Sequence, residues 1–160
     1  MRRILLMGMS GVGKSTIAEA LRTRGYAAVD TDRDAYRIAP DGEWLWDEVA
    51  IDRHLSRTEV ELLFIIGSAS NQSQFYPSFD VLILLSAPVE VMTARIRART
   101  NNPFGKSEEE LARILRDTKE IEPLMRGVVH AEIRTDRPLD DVVDEILALS
   151  LSQGHDVSGG

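Results

Sequence analysis

Three glycines, Gly8, Gly11 and Gly13, stand just ahead of one cation, Lys14, and two hydroxyls, Ser15 and Thr16. Glycine at this density lets the backbone turn its N–H groups toward one anion with no Cβ in the way. Gly8, four residues, then Gly13, Lys14 and Ser15 is the spacing of a loop that cradles a polyphosphate. Lys14 adds a point charge near the β- and γ-phosphates of a nucleoside triphosphate. The Ser15 hydroxyl suits Mg²⁺, Thr16 supports it from the next position, and Ser10 and Val12 complete the cradle. The open N–H groups and dipole of a following helix favour the same negative charge.

Such a loop needs a strand before it and a helix after it. "RRILLMG" is an apolar run suited to a buried parallel strand, and "KSTIAEALRTRG" puts Ile17, Ala18 and Leu21 on one helical face before Gly25 ends it. Next, "YAAVDTD" reads as a second strand and "RDAYRI" as a helical turn or two. "EWLWDEVAIDRHLSRTE" has helical spacing through Leu45, Val49 and Leu55. "VELLFIIG", "FDVLILLS" and a weaker "HAEIRT" supply further strands. Between and after them, "PVEVMTARIRART", "SEEELARILRDTKEIEPLMRGV" and "PLDDVVDEILALS" have helical periodicity. The alternation predicts an α/β fold, a three-layer sandwich with about five parallel strands and helices on both faces. Ligands of such sheets sit beyond the carboxyl ends of the strands, which directs attention to residues 8–16, 30–34, 67–74 and the segment after Thr135.

The 160 residues, 43% of them apolar, are enough for one domain, placed at 1–150, with 151–160 expected as a flexible C-terminal tail. A net charge of −7 argues against a nucleic-acid partner, which usually needs a basic surface. The absence of cysteine excludes disulfides, thiolate metal sites and cysteine nucleophiles. Arg2 and Arg3 precede an apolar run that Gly8 interrupts, too short for a signal peptide or a membrane span. The expectation is a cytoplasmic protein with no membrane association.

"GMSGVGKST", then "VDTD", then the arginine-bearing "ARIRART" leading into a short polar loop together resemble the small phosphate-loop kinases of the shikimate kinase and nucleoside monophosphate kinase group. The resemblance covers essentially residues 1–150. It implies a P-loop NTPase fold with a short lid at about 100–107, ATP and Mg²⁺ as cofactors, and a small-molecule acceptor. In that group, lid arginines close over the transferring phosphate. Arg95 and Arg99 are four apart and share a helical face, while Arg97 points away. A guanidinium fork suits this work because it binds phosphate oxygens bidentately. "NNPFGK", residues 101–106, reads as the lid, with Lys106 in reach of a phosphate and Phe104 excluding water. The resemblance assigns Asp30 to the water-mediated metal shell and Asp32 to the acceptor, as general base or as positioning group. As alternating residues of a strand, the two would share one side. "TDRP", with Arg137 and Pro138, resembles the adenine-side loop, where Pro138 and Arg95 would enclose the purine; a proline at the first helical position explains the same residues.

The acceptor side departs from shikimate kinases. Where they carry a triple-glycine loop, this chain reads "GSASNQSQFY" and keeps only Gly67. Ser68, Ser70, Asn71, Gln72 and Gln74 suit an acceptor rich in hydroxyls or amides, or equally the start of a helix. "KEIEPLM" places Ile121 and Glu122 where the family has a carboxylate-binding arginine, which argues against shikimate itself. Arg33, Arg37, Arg53 and Arg57 remain as candidate acceptor ligands, with Arg53 and Arg57 spaced as a clamp on one helix. Asp34 reads as a helix start. Trp44 and Trp46 diverge if helical, so one at most faces the cleft. The third strand has no terminal aspartate, which disfavours a mechanical or switch ATPase. The leading expectation is an ATP-dependent kinase that transfers the γ-phosphoryl group to a small hydroxyl or phosphate acceptor. The alternative is an ATP-binding regulatory protein or slow ATPase with no small acceptor.

Overall fold

The computed structural model describes residues 1–99 and 105–158, with side chains as far as Ser152 in the last helix. Its strands are β1 (Arg2–Gly8), β2 (Ala27–Asp30), β3 (Tyr36–Ile38), β4 (Trp44–Trp46), β5 (Leu62–Ile66), β6 (Val81–Ser86) and β7 (Ala131–Arg134). Its α-helices are α1 (Lys14–Thr23), α2 (Thr31–Asp34), α3 (Glu48–Leu55), α4 (Val89–Ala98), α5 (Glu108–Arg126) and α6 (Leu139–Ser158). A short 3₁₀ helix covers Gln72–Ser78.

Five strands form one parallel sheet in the order β2-β5-β1-β6-β7. The central strands are apolar without interruption because both of their faces are covered. Alternate residues of β1 serve the two sides. Ile4 and Leu6 pack with Ile17 and Leu21 of α1 and Val143 and Ile146 of α6, whereas Leu5 and Met7 pack with Trp46, Ile51, Phe75 and Met125. This is the three-layer α/β sandwich that the alternation of elements predicts, with five parallel strands.

The carboxyl end of β1 is closed by close approach. A Cβ on Gly8 would lie 2.6 Å from the Leu85 carbonyl oxygen and 2.8 Å from Val12 Cγ2, so a side chain there would push β1 and β6 apart. Gly13, at φ +98°, is the left-handed residue from which α1 starts.

Between β2 and α3 the structure departs from the sequence reading. Only Thr31–Asp34 is helical in the second segment, and Tyr36–Ile38 then pairs antiparallel with Trp44–Trp46, matching Tyr36 to Trp46 and Ile38 to Trp44. Helix α3 begins at Glu48, where Asp47 Oδ1 accepts from the Ala50 N–H at 3.1 Å. Leu45 and Val49 therefore belong to different elements. The two tryptophans lie on a strand and share a face, contrary to the divergence expected of a helix. At the other end of the chain, α6 carries helical backbone to Ser158.

Candidate functional site

A cleft of about 460 Å³ opens at the carboxyl ends of the strands. It is lined by residues 10–17, by Asp32, by Arg95, Ala98 and Arg99 from the end of α4, and by Thr135, Arg137, Leu139 and Val142. The connection β1–α1, the turn after β2 and the segment after β7 thus converge on one space.

Lys14 folds back over its own loop, its Nζ donating to the carbonyls of Gly8 at 2.6 Å and Met9 at 3.3 Å. Burial lowers its pKa below the ordinary lysine value, opposed by Asp32 and Asp30 and reinforced by Arg99. Ser15 Oγ donates to Asp30 Oδ2 at 3.0 Å, and Asp30 Oδ1 accepts from the Asp32 N–H at 3.1 Å. Asp30, 3% exposed, therefore ends β2, caps α2 and holds the hydroxyl that follows Lys14.

Strand β2 stops at Asp30, and Asp32 lies in the helical turn, so the two carboxylates do not alternate along a strand. Asp32 nonetheless lines the cleft. Crowding of its carboxyl by the cleft walls raises its pKa above the ordinary aspartate value, opposed by Lys14 and by the Trp44 indole, with Asp30 adding to the rise. Asp34 closes α2 instead of starting it and lies 3.7 Å from Arg22.

Arg95 in α4 and Arg99 just after it do different things. Arg95 Nη1 donates to the Val12 carbonyl at 3.1 Å and Thr135 Oγ1 at 2.9 Å, while Nη2 donates to the Thr135 carbonyl at 2.6 Å. One planar group thus ties the phosphate loop to the end of β7. Arg99 follows the last helical residue in extended backbone and reaches Ser10 Oγ at 3.5 Å. Burial lowers its pKa below the usual arginine value, with Asp32 opposing. Arg97 is exposed, as its place on the helix predicts.

Arg137 lines the cleft, donates from Nε to the Arg134 carbonyl at 3.1 Å and pairs with Glu145. Pro138 lies just outside the lining, and its carbonyl accepts from the Asp141 and Val142 N–H groups at the start of α6. Thr135 entered the sequence reading only as the first residue of TDRP, and Ala98, Leu139 and Val142 were not singled out. The last three are ordinary apolar positions of helical faces, and the role of Thr135 depends on Arg95, 40 positions away.

The remaining acceptor candidates lie outside the cleft lining. Arg53 is exposed on α3, and Arg57 pairs with Glu59 at 2.6 Å. Arg37 is held by Glu48 through bonds of 2.7 and 3.0 Å. Asn71 clasps the main chain of Trp46, accepting from its N–H and donating to its carbonyl, both at 3.0 Å. Gln72 is buried, accepting from the Ala69 N–H at 2.8 Å and donating to the Tyr76 hydroxyl at 2.8 Å. Ser68 Oγ accepts from the Gly8 N–H at 3.0 Å and donates to the Gly8 carbonyl at 2.9 Å, bracing the start of the phosphate loop. Gly67 is required by contact: a Cβ there would lie 1.8 Å from Thr31 Oγ1. The expected lid falls mainly on residues 100–104, outside the described residues; of its remainder, Gly105 is buried and Lys106 exposed.

The protein family described as "AAA domain" matches residues 4–116. A curated relative from Sphingopyxis alaskensis, described as "Nucleotide-binding protein", is 26% identical over 161 residues, covering 91% of this chain and 48% of its own length. The chain thus spans about half the length of that relative. Shikimate kinase from Acinetobacter baumannii, solved in complex with shikimate, matches with a TM-score of 0.64 at 22% identity, covering 95% of this chain and 94% of that one. A gluconokinase from Sinorhizobium meliloti matches with a TM-score of 0.62 at 19% identity, covering 98% and 95%. The phosphate-loop kinase fold implied by the sequence resemblance is therefore present, and at these identities the likeness is one of fold.

Proposed function

This chain belongs to the AAA domain family, and from that premise we propose that it is an ATP-dependent kinase transferring the γ-phosphoryl group to a small acceptor. The observation that carries the reading is the meeting of Lys14, Asp32 and Arg99 in one cleft. Phosphoryl transfer asks for positioning and charge neutralisation more than for covalent chemistry, and these three groups supply both. Lys14 exchanges its loop carbonyls for phosphate oxygens. Asp32 orients the acceptor hydroxyl and, with its raised pKa, is suited to take its proton. Arg99 neutralises charge on the transferring group, and Arg95 keeps the loop registered against the segment that would border the base.

The donor set fits Mg²⁺. Ser15 Oγ and the Asp30 carboxylate are hard oxygen groups 3.0 Å apart at the start of α1, suited to an ion that takes few protein ligands and keeps its waters. Bound there, the ion would neutralise β- and γ-phosphate oxygens. Strand β5 ends in Ile66 and Gly67 without a carboxylate, so Asp30 at the end of neighbouring β2 fills that place in this reading.

A second reading, an ATP-binding regulatory protein or slow ATPase without a small acceptor, is favoured by one observation. Asn71, Gln72 and Arg57 are all engaged within the fold and line no part of the cleft. The acidic net charge of −7 argues against a nucleic-acid partner in either reading. Among the described residues, no helix is long and apolar enough to cross a membrane.

The deciding experiment measures Mg²⁺-dependent ADP release from ATP against nucleosides, nucleoside monophosphates, sugar acids, shikimate and 5′-hydroxyl oligonucleotides. Lys14→Ala serves as the control. Acceleration by one acceptor class, lost in Lys14→Ala, is the expected result. A flat panel with tight ATP binding overturns the kinase reading in favour of the regulatory one.

A further inference from the structure

The hairpin β3–β4 carries a pair of rings that the core does not use. Tyr36 and Trp44 stack with centroids 4.1 Å apart and planes 13° from parallel, yet remain 40% and 44% exposed. Ile38, opposite Trp44 in the ribbon, is 59% exposed. Trp46, on the same face, is only 1% exposed and packs on Phe75. The ribbon is therefore anchored at its Trp46 end and presents its aromatic end to solvent.

The anchored end is held in place by main-chain contacts. Asn71 grips the Trp46 main chain from both sides, and the Asp47 N–H donates to the Ala35 carbonyl at 2.8 Å, closing the base of the ribbon. Two large rings stacked diagonally across the ribbon but left partly wet have the geometry of ring recognition, because an incoming flat molecule finds a prepared π face and little ordering to do.

The position relative to the cleft is specific. Ala35 alone separates α2 from β3, so Tyr36 follows Asp32 by one short turn. Asp32 in turn lines the cleft with Lys14 and Arg99. Tyr36 and Trp44 lie outside the cleft lining but adjoin the turn that carries Asp32, the group the kinase reading gives to the acceptor hydroxyl.

We propose that the Tyr36–Trp44 stack is the docking platform for the phosphoryl acceptor, a nucleoside-type compound whose flat base extends the stack while its hydroxyl reaches Asp32. This inference rests on the kinase reading of the cleft. In the transfer, the acceptor hydroxyl oxygen forms a bond to the γ-phosphorus, the bond from that phosphorus to the β,γ-bridging oxygen breaks, ADP leaves, and the hydroxyl proton passes to Asp32. Charge selects a neutral acceptor over a sugar acid. The guanidinium on the ribbon, Arg37, is already bound by Glu48, and Asp32, Asp34, Asp41, Glu43 and Asp47 outnumber the one further cation, Arg33, in the sequence around the aromatic segment. A polyol offers no flat face to a ring stack, whereas a base does.

The test uses the full chain carrying Trp46→Phe, which leaves Trp44 as the sole tryptophan and removes a buried indole N–H that has no hydrogen-bond partner. With the phosphate loop saturated by ADP, Trp44 emission is titrated with nucleosides, gluconate and shikimate. Saturable quenching by nucleosides and none by the polyols is expected. In turnover assays Trp44→Ala should raise the acceptor KM by about 5- to 150-fold, the range for losing one base–aromatic stack, and Trp44→Phe should restore part of it. The absence of saturable quenching by every nucleoside overturns the platform, whatever the ADP assay shows. Quenching by nucleoside monophosphates but not by their nucleosides overturns the neutral-acceptor assignment. A polyol that accelerates ADP release with a KM indifferent to Trp44→Ala also overturns the platform while leaving the kinase reading in place. Nucleoside quenching without phosphoryl transfer to any nucleoside overturns the stack as the acceptor's platform and leaves the kinase reading to the acceptor panel.

Discussion

The Ser15 hydroxyl donates to the Asp30 carboxylate across 3.0 Å, fixing the first turn of α1 against the last residue of β2. The same carboxylate caps α2, so one buried group orients the metal-facing hydroxyl and starts the turn that carries Asp32. Asp30→Ala should lose both functions. Loss of the cap alone costs about 1 kcal/mol of stability. Loss of the group orienting Ser15 should weaken Mg²⁺ dependence by about 10- to 100-fold. Titration of ADP release with Mg²⁺ reads the second effect separately from denaturant melts. An unchanged Mg²⁺ midpoint in a folded variant would show that Asp30 serves the cap alone.

Asp32 should trade stability for activity. Its folded pKa is raised, mainly by partial loss of water around the carboxyl at the cleft wall, and the attraction of Lys14 only partly offsets this. The native state therefore binds its proton more tightly than the unfolded chain does. The ionised carboxylate is a penalty above the folded pKa, and the penalty disappears as pH falls through the folded value toward the unfolded one. Asp32→Asn should accordingly melt at or above the wild-type temperature at neutral pH, with the gap closing in acid. Acceptor-dependent transfer should fall by about 10²- to 10⁴-fold if Asp32 accepts the proton, and the wild-type acid limb should sit above the ordinary aspartate range. A variant that melts lower than wild type at pH 7 contradicts the assigned direction.

The phosphate loop and its flanking elements were legible because their signals are local. Glycine spacing, one lysine and an apolar run on either side suffice, and Arg95 and Arg99 inherit their shared cleft from four-residue helical spacing. Asp32 was correctly directed to the cleft but for the wrong local reason, since β2 ends two residues earlier. The β3–β4 ribbon was not legible. Leu45, Val49 and Leu55 mimic a helical stripe, and what decides against a helix is the grip of Asn71 on Trp46 from 25 positions away, together with packing on Phe75. The same distance hid the role of Asn71, whereas Gln72 bonds locally to the Ala69 N–H and the Tyr76 hydroxyl; both side chains look like substrate ligands in sequence.

Asn71 offers a clean separation of those two roles. Removing its amide leaves the Trp46 N–H and carbonyl without their partner, so Asn71→Ala should cost about 1–3 kcal/mol. Asn71→Asp retains an acceptor for the N–H but turns the donor toward Trp46 O into a second acceptor, so it should destabilise comparably. Denaturant unfolding of the three proteins without ligand decides the matter. A variant with wild-type stability and a raised acceptor KM would restore Asn71 as a substrate ligand.

Arg95 should behave as a latch between the phosphate loop and the end of β7. Its planar fork spans Val12 on one side and Thr135 on the other, a geometry that an ammonium cannot reproduce. Arg95→Ala and Arg95→Lys should both destabilise the protein before any nucleotide is added, by about 1.5–3 kcal/mol for the charge-assisted bonds. Nucleotide affinity should fall along with stability, because the loop would have to be ordered at the moment of binding. Thr135→Val removes the hydroxyl, with its long bond to the Ser86 carbonyl, and leaves the 2.6 Å bond from Arg95 to the main-chain carbonyl, so its effect should be smaller, about 0.5–1.5 kcal/mol. The ordering separates this account from a role confined to stacking on the base. A stacking arginine lowers affinity and leaves the free protein as stable as before, whereas a latch moves the melting temperature of the free protein first. Thermal melts of the three variants without ligand, followed by nucleotide titrations, would sink the latch if Arg95→Ala melted with the wild type.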